Sequence, residues 1–379
     1  MQKPESSPAE DTPAAPEFNA KERLAALREA LEDAKRSSGR DSFLILTHRS
    51  PDPDAMGAAI GMRALLEGAF QMKATVATVG RIHRAENLAM VRELGLEFAD
   101  SEAIDHSAFA GLVLVDTQPS FGHTVIPGNL PVTAIIDHHE PPTPKPDDEP
   151  LEPSEPQAYS DVRVGVGATS SMVYEYLREA GVKPDARTAG ALFCGVRYDT
   201  GDLAEGVTDL DQRAWYQCFR RADQSALQRI QRPPLPAEYF SQLAVSLRNA
   251  RQHGDMVLGL LGEVVNPESV AEMADFFVRL EGARWALVGG AYQGEYYLSL
   301  RTAVAERGAY DLLEAVLDGR GSFGGHGRIA GGRVQFDEYT ESALRELETS
   351  LRERVLMIAR KGTSGDGPDS EFHLGRPLA

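Results

Sequence analysis

A chain of 379 residues, 42% hydrophobic and 25% charged, is long enough for two ordinary domains, each with a real core. Its formal net charge of −18 argues against a surface that grips long duplex nucleic acid by phosphate neutralisation alone, but leaves room for a short anionic substrate beside bound cations. Two cysteines make no disulfide framework and no apolar run reaches the roughly 18 residues of a membrane span, so a cytoplasmic protein without a membrane partner is expected.

Residues 1–20 are rich in Pro, Ala, Ser and Glu and read as a disordered tail, without the apolar core of a signal peptide. Lys21 to Lys35 has the spacing of an amphipathic helix, with Leu24, Leu27 and Leu31 on one face. An α/β alternation comes next: strand Phe43 to Thr47, helix Ala55 to Leu66, and strands Ala74 to Val79, Leu112 to Val115 and Val132 to Ile136. Strands this apolar suit a mainly parallel sheet covered on both faces. Pro141 to Gln157 reads as a solvated Pro/Asp/Glu insertion. Helices are expected over Ala168 to Glu179, Thr188 to Val196 and Leu210 to Arg229.

Prolines at 233, 234 and 236 mark a linker that would let two halves close on a ligand. Beyond it, Met256 to Leu261, Trp285 to Ala291 and Tyr296 to Arg301 read as strands. Val270 to Leu280, Tyr310 to Leu317 and Asp337 to Ala359 read as helices, and Gly319 to Gly332 as a glycine-rich loop. The expected division is a tail (1–20), a catalytic domain (21–230), a linker (231–240), a smaller α/β domain with a mixed sheet (241–360) and a second disordered tail (361–379).

The chemistry lies just past the strand ends. His48, Asp52 and Asp54 come after the first strand, Asp116 after the third predicted above, and Asp137, His138 and His139 after the fourth. The carboxyl edge of an open parallel sheet is where ligands bind. Carboxylates with imidazoles and no thiolate suit Mn²⁺, Mg²⁺, Co²⁺ or Zn²⁺, and this many ligands exceeds the needs of one ion. Taken singly, each residue has a plainer reading: a strand-end Asp is commonly a cap, Asp52 and Asp54 around Pro53 make a turn, and a lone His is usually a satisfied polar group. Those readings do not explain why three strand ends all carry metal-type side chains.

The blocks His48-x-x-Pro51-Asp52-x-Asp54-Ala55-x-Gly57, Asp116, Asp137-His138-His139 and Asp199-Thr200-Gly201 resemble the four signatures of the DHH phosphoesterase superfamily. Ser299-Leu300-Arg301, Gly324-Gly325-His326 and Ala330-Gly331 resemble its DHHA1 partner domain. The resemblance spans roughly residues 42–333, and the most similar subgroup is that of the stand-alone oligoribonucleases and pAp-phosphatases (nanoRNases).

The resemblance implies two divalent cations, Mn²⁺ foremost with Mg²⁺ or Co²⁺ admissible. His48, Asp52 and Asp116 would hold one; Asp54, Asp116, His138 and Asp199 would hold the other, with Asp116 bridging. Asp137 would orient the histidine pair, His139 would face the scissile phosphate, and a bridging hydroxide would attack. Arg301, Ser299, Gly324, Gly325 and His326 would bind substrate. The implied substrate is a short RNA or small nucleotide, such as a linear dinucleotide or 3′-phosphoadenosine 5′-phosphate, and a homodimer is compatible. Two departures stand out: Phe323 replaces a usual glycine, and Pro53 a usual small residue. An inorganic pyrophosphatase and a cyclic-dinucleotide phosphodiesterase are the competing enzymes; the Gly-Gly-His motif speaks against the first and the lack of sensor modules against the second. A nucleotide-sensing module without turnover is the non-enzymatic alternative, and the full ligand set gives it no support.

Overall fold

The apolar runs become strands because nearly every residue in them loses its solvent contact. In the computed structural model, which describes residues 19–121, 124–128, 130–141, 158–204, 206–304, 308–362 and 376–378, Phe43, Leu44, Ile45 and Leu46 are all fully buried. The described residues form two compact units, one made of those up to Ile82 with Glu86–Arg232, the other of His83–Ala85 with those from Pro233 onward.

The first unit contains strands β1 (Ser42–Leu46), β2 (Lys73–Thr78), β3 (Ala99–Asp100), β4 (Gly111–Val115), β5 (Val132–Asp137) and β6 (Tyr159–Val162). They pair in the order β3-β2-β1-β4-β5-β6, and every pairing is parallel. Its helices are α1 (Ala20–Ser38), α2 (Pro53–Leu65), α3 (Ala85–Leu94), α4 (Thr169–Glu179), α5 (Ala186–Asp199), α6 (Asp209–Arg221) and α7 (Gln224–Gln231). Phe43, Ile45, Val113 and Val115 share one core with these helices. Leu44, Leu46, Leu112 and Leu114 point to the other face, where loop residues Phe109 and Leu130 cover them. Both faces are buried, then, but by different means.

In the second unit, α8 (Ala237–Asn249), α9 (Glu268–Phe277), α10 (Ala309–Leu317) and α11 (Glu341–Gly362) surround a mixed sheet. Its strands are β7 (Arg251–His253), β8 (Met256–Glu263), β9 (Trp285–Tyr292), β10 (Glu295–Thr302), β11 (Ser322–His326), β12 (Ile329–Gln335) and β13 (Arg376–Pro377). The order is β11-β12-β10-β9-β8-β7-β13, with only β8 and β9 parallel. Alternate residues of β8–β10 pack beneath α10 and α11 on one face, and beneath α8 and α9 on the other.

Some elements depart from expectation. The helix expected over Leu210 to Arg229 is two helices, because Asp223 accepts the N–H groups of Ser225 and Ala226 and starts a new one. Helices α3 and α8 and the short strands β3 and β6 were not anticipated, and residues 237–240 form the first turn of α8. The expected glycine-rich loop is the β11–β12 hairpin. The insertion at 142–157 and the tails at 1–18 and 363–375 lie outside the described residues.

Candidate metal centre

The centre is assembled at the carboxyl ends of β1, β4 and β5 and the facing ends of α2, α4 and α5. Asp52 is the N-cap of α2: its Oδ1 accepts the N–H groups of Asp54 and Ala55 at 2.9 and 3.0 Å. Pro53 occupies the first helical position, where its fixed φ is favourable and its missing N–H costs nothing. The cap reading of Asp52 is therefore correct, and it still leaves the second carboxylate oxygen for a cation.

Asp54 is fully buried and performs a second capping role in space. The N-cap of helix α4 is Ala168, whose methyl has nothing to offer the first N–H groups. Asp54 takes them instead, Oδ2 from Thr169 at 2.6 Å and Oδ1 from Ser170 at 2.9 Å. The hydroxyl of Thr169 donates to Oδ1 of Asp116 at 2.8 Å. Two glycines let the three helices approach this closely: a Cβ at Gly57 would lie 2.5 Å from the Ala191 carbonyl oxygen, and one at Gly195 would lie 2.7 Å from Oδ1 of Asp54.

Asp116 follows β4 with φ +59°, a left-handed conformation that Asp tolerates better than most residues. This turns its carboxylate into the cluster. Ligand atoms of His48, Asp52 and Asp116 lie within 4.8 Å of one another; so do those of Asp54, His138 and Asp199, and those of Asp116, His138 and His139. The structure thus brings all six residues expected to hold metal into overlapping groups that meet at Asp116 and His138.

The tautomers are set by backbone carbonyls. Nδ1 of His138 donates to Val166 O at 3.0 Å and Nδ1 of His48 to Arg49 O at 2.9 Å, placing each neutral ring's lone pair on Nε2. Nε2 of His138 then sits 3.0 Å from Oδ2 of Asp199 and 3.7 Å from Oδ1 of Asp116. Among the described residues neither contact forms a hydrogen bond, the second being too long, and Oδ2 of Asp116 is likewise buried without a hydrogen-bond partner. Acceptors facing one another in a buried site call for a positive charge between them. A divalent cation bound by oxygen and nitrogen fits that demand and this donor set.

Without a cation, protons answer the same demand for positive charge. Burial is the main force raising Asp54 well above the usual carboxylate range, with the charges of Asp116 and Asp199 adding to it. Burial likewise raises Asp116, and lifts Asp199 to about 6. Burial opposes charge on His138, but Asp199, Asp116 and Asp54 outweigh it and hold the imidazole well above its ordinary value.

Asp137 belongs to the centre without offering a ligand atom to these groups. Its Oδ1 accepts the N–H of His138 and Nδ1–H of His139, each at 2.8 Å, and the N–H of His139 at 3.3 Å. Its Oδ2 accepts Nε2–H of Gln118 at 2.8 Å. Burial resists ionisation of Asp137, but the His139 and Gln118 contacts outweigh it and hold the carboxyl below its usual value. Burial similarly opposes charge on His139, whose bond to Asp137 and proximity to Asp116 nevertheless push it up to about 9.

In the second unit, Arg301 is engaged with neighbours of its own: Nε pairs with Asp275, and Nη1 donates to Ser299 Oγ at 2.7 Å. Gly325 is required by the hairpin itself, since φ is +153° and a Cβ would lie 2.5 Å from Cα of Ala330. Among the described residues a Cβ at Gly324 would meet nothing within 4 Å. Phe323 joins the core beneath α10, its ring 5.2 Å from that of Tyr310. The side chain of His326 lies outside the described residues. Sequence reading missed Thr169, Ser170, Val166 and Gln118; the only trace of them was a helix start, Ala168-Thr169-Ser170-Ser171, that lacks a capping side chain of its own.

The N-terminal domain of the DHH family matches residues 42–196. An uncharacterized protein of Methanocaldococcus jannaschii is 30% identical over 323 residues, or 83% of this chain, and the chain spans 64% of that relative's length. The solved structure of an exopolyphosphatase-related protein from Bacteroides fragilis superposes with a TM-score of 0.64 at 14% identity, over 87% of this chain and 98% of the other. RecJ from Thermus thermophilus, solved in complex with Mn²⁺, is more distant, with a TM-score of 0.47 at 14% identity over 89% of this chain and 55% of the other. The B. fragilis likeness speaks for a shared fold.

Proposed function

Because the chain is a member of the DHH superfamily, we propose that it is a metal-dependent phosphoesterase acting on short oligoribonucleotides or linear dinucleotides, with 3′-phosphoadenosine 5′-phosphate as a further candidate substrate. One observation carries the reading: among the described residues His138 Nε2 and Asp116 Oδ2 are buried without hydrogen-bond partners, within groups of carboxylate and imidazole atoms that lie within 4.8 Å of one another. His48, Asp52 and Asp116 would hold one divalent cation, and Asp54, His138 and Asp199 with Asp116 the other, Mn²⁺ being the favoured ion. Such cations acidify water and neutralise charge on a phosphoryl group.

The protein's own groups would do the remainder. Asp137 fixes the tautomer of His139 by taking its Nδ1–H. In the metal-free site His139 is pushed up to about 9, so its Nε2 is suited to hold a proton that stabilises a phosphate or passes to a leaving oxygen. Arg301, Ser299, Gly324, Gly325 and His326 would recognise substrate. In this reading Arg301 exchanges its Asp275 partner for a substrate phosphate.

The test is Mn²⁺-dependent hydrolysis across a labelled RNA dinucleotide-to-pentanucleotide series, 3′-phosphoadenosine 5′-phosphate, pyrophosphate and cyclic di-AMP. Preferential decay of the short RNAs or the bisphosphate supports the reading. Preference for pyrophosphate or the cyclic dinucleotide would assign another substrate, and inactivity on all of them with metal bound would overturn it.

A further inference from the structure

Gln118 lies two residues past Asp116 on the loop after β4, and its side chain is buried. Its Nε2 stands 2.8 Å from Oδ2 of Asp137 and 2.9 Å from the carbonyl oxygen of His139. Both neighbours are acceptors, so the amide has one orientation, with both N–H protons spent on these two residues. Phe121, one turn further on, sets its ring edge against His139 at 6.0 Å. His139 is therefore held on its ring by Asp137, on its backbone by Gln118 and on its flank by Phe121.

We infer that Gln118 is a positioning residue for His139, acting by locking Asp137 and the His139 backbone in one register. This rests on the proposed role of His139 at the phosphate. Three N–H groups hold Oδ1 of Asp137, and among the described residues Gln118 is the donor observed on Oδ2, completing the hold on the carboxylate. Removing an outer partner of a metal ligand typically costs about 10–100-fold in metal affinity or activity, and by analogy a loss of activity in that range is expected for Gln118.

The consequence differs from that of losing a metal ligand. Substitution of Gln118 should lower kcat with KM and Mn²⁺ stoichiometry near wild type. Q118M keeps the length and cannot donate; Q118E keeps the shape and sets a carboxylate against Asp137. The physical arm uses metal-free protein labelled with ¹⁵N in histidine and in glutamine amides, with the His139 signal assigned from H139Q. In the wild type, the Nδ1 proton of His139 and both Gln118 amide protons should exchange slowly. In either variant the His139 Nδ1 proton should exchange at least about tenfold faster, by analogy with that range. Fast exchange of the Gln118 amide in the wild type would overturn the inference whatever the variants do. So would a variant that keeps both the slow His139 proton and a kcat within about twofold of wild type, a change well below the expected range. Should the wild type hydrolyse none of the substrates, the proposed function fails, and the exchange measurement still decides whether Gln118 holds His139.

Discussion

Oδ2 of Asp54 accepts the backbone N–H of Thr169 at 2.6 Å, so a side chain on α2 caps α4 and fixes where that helix begins. Thr169 in turn gives its hydroxyl to Asp116. Capping and metal binding are thereby coupled through one residue. T169V removes the hydroxyl without touching the N–H, and should weaken Mn²⁺ affinity by about tenfold or more, as loss of an outer partner does. T169S should restore it. Calorimetric titration with Mn²⁺ checks both, and equal affinities in the three proteins would contradict the coupling.

Carboxylates of Asp54, Asp116 and Asp199, all raised by burial and mutual repulsion, make the metal-free centre a local source of instability. A cation that binds only the folded state stabilises it by about 4 kcal/mol at a concentration of 1,000 Kd. Melting curves in chelator and in Mn²⁺ should separate by several degrees, and superimposable curves would speak against a metal centre.

Gly195 has a steric role that composition does not reveal. The added methyl in G195A would stand 2.7 Å from Oδ1 of Asp54, whose two oxygens are already committed to α4. We expect a loss of about 1–3 kcal/mol on urea denaturation, as overpacking of a dense core commonly costs, accompanied by weaker Mn²⁺ binding. G39A is the control: unlike Gly195, Gly39 has a positive φ, but among the described residues a Cβ there meets nothing within 4 Å, so G39A should leave Mn²⁺ affinity unchanged.

The pattern of strands and strand-end ligands was legible because β1, β4 and β5 are contiguous apolar runs with His48, Asp116 and His138 close behind them; Asp199, at the end of α5, was legible only as part of the family signature. The supports of those ligands were not. Val166 O, Arg49 O and the N–H groups of Thr169 and Ser170 are backbone atoms, which every residue has, and only tertiary structure aims them. Gln118 was invisible because its partners lie 19 and 21 residues away. The β11–β12 hairpin escaped notice because glycines that serve close strand packing, as Gly325 does, look like loop residues in sequence. Strand β6, Tyr-Ser-Asp-Val, carries no apolar run, and its Asp161 is used in ion pairing with Arg163 instead.

Glu348, in the second unit, offers a separate pH test. Burial raises its pKa, partly offset by the Gly262 N–H and the Tyr296 hydroxyl that it accepts, both at 3.0 Å, and by Arg352. A carboxyl raised on folding contributes its stability below the unfolded value and loses it as pH rises through the folded one. E348Q keeps the acceptor oxygen and removes the charge. It should melt higher than wild type at pH 7, and the gap should close near pH 4. A variant less stable than wild type at pH 7 would show that the carboxylate charge is favourable there.

The most direct test of the metal-centre account is D116N, assayed for Mn²⁺ binding and for hydrolysis of the short-RNA and bisphosphate panel. Asn tolerates the left-handed backbone at position 116, whereas Ala there would add strain of roughly 1 kcal/mol and blur the result. The account predicts a folded protein with a melting temperature at or above that of the metal-free wild type, weakened Mn²⁺ binding, and turnover reduced by at least about 100-fold, the scale set by removing one charge-stabilising group from an active site. Near-normal Mn²⁺ binding and turnover in D116N would contradict it.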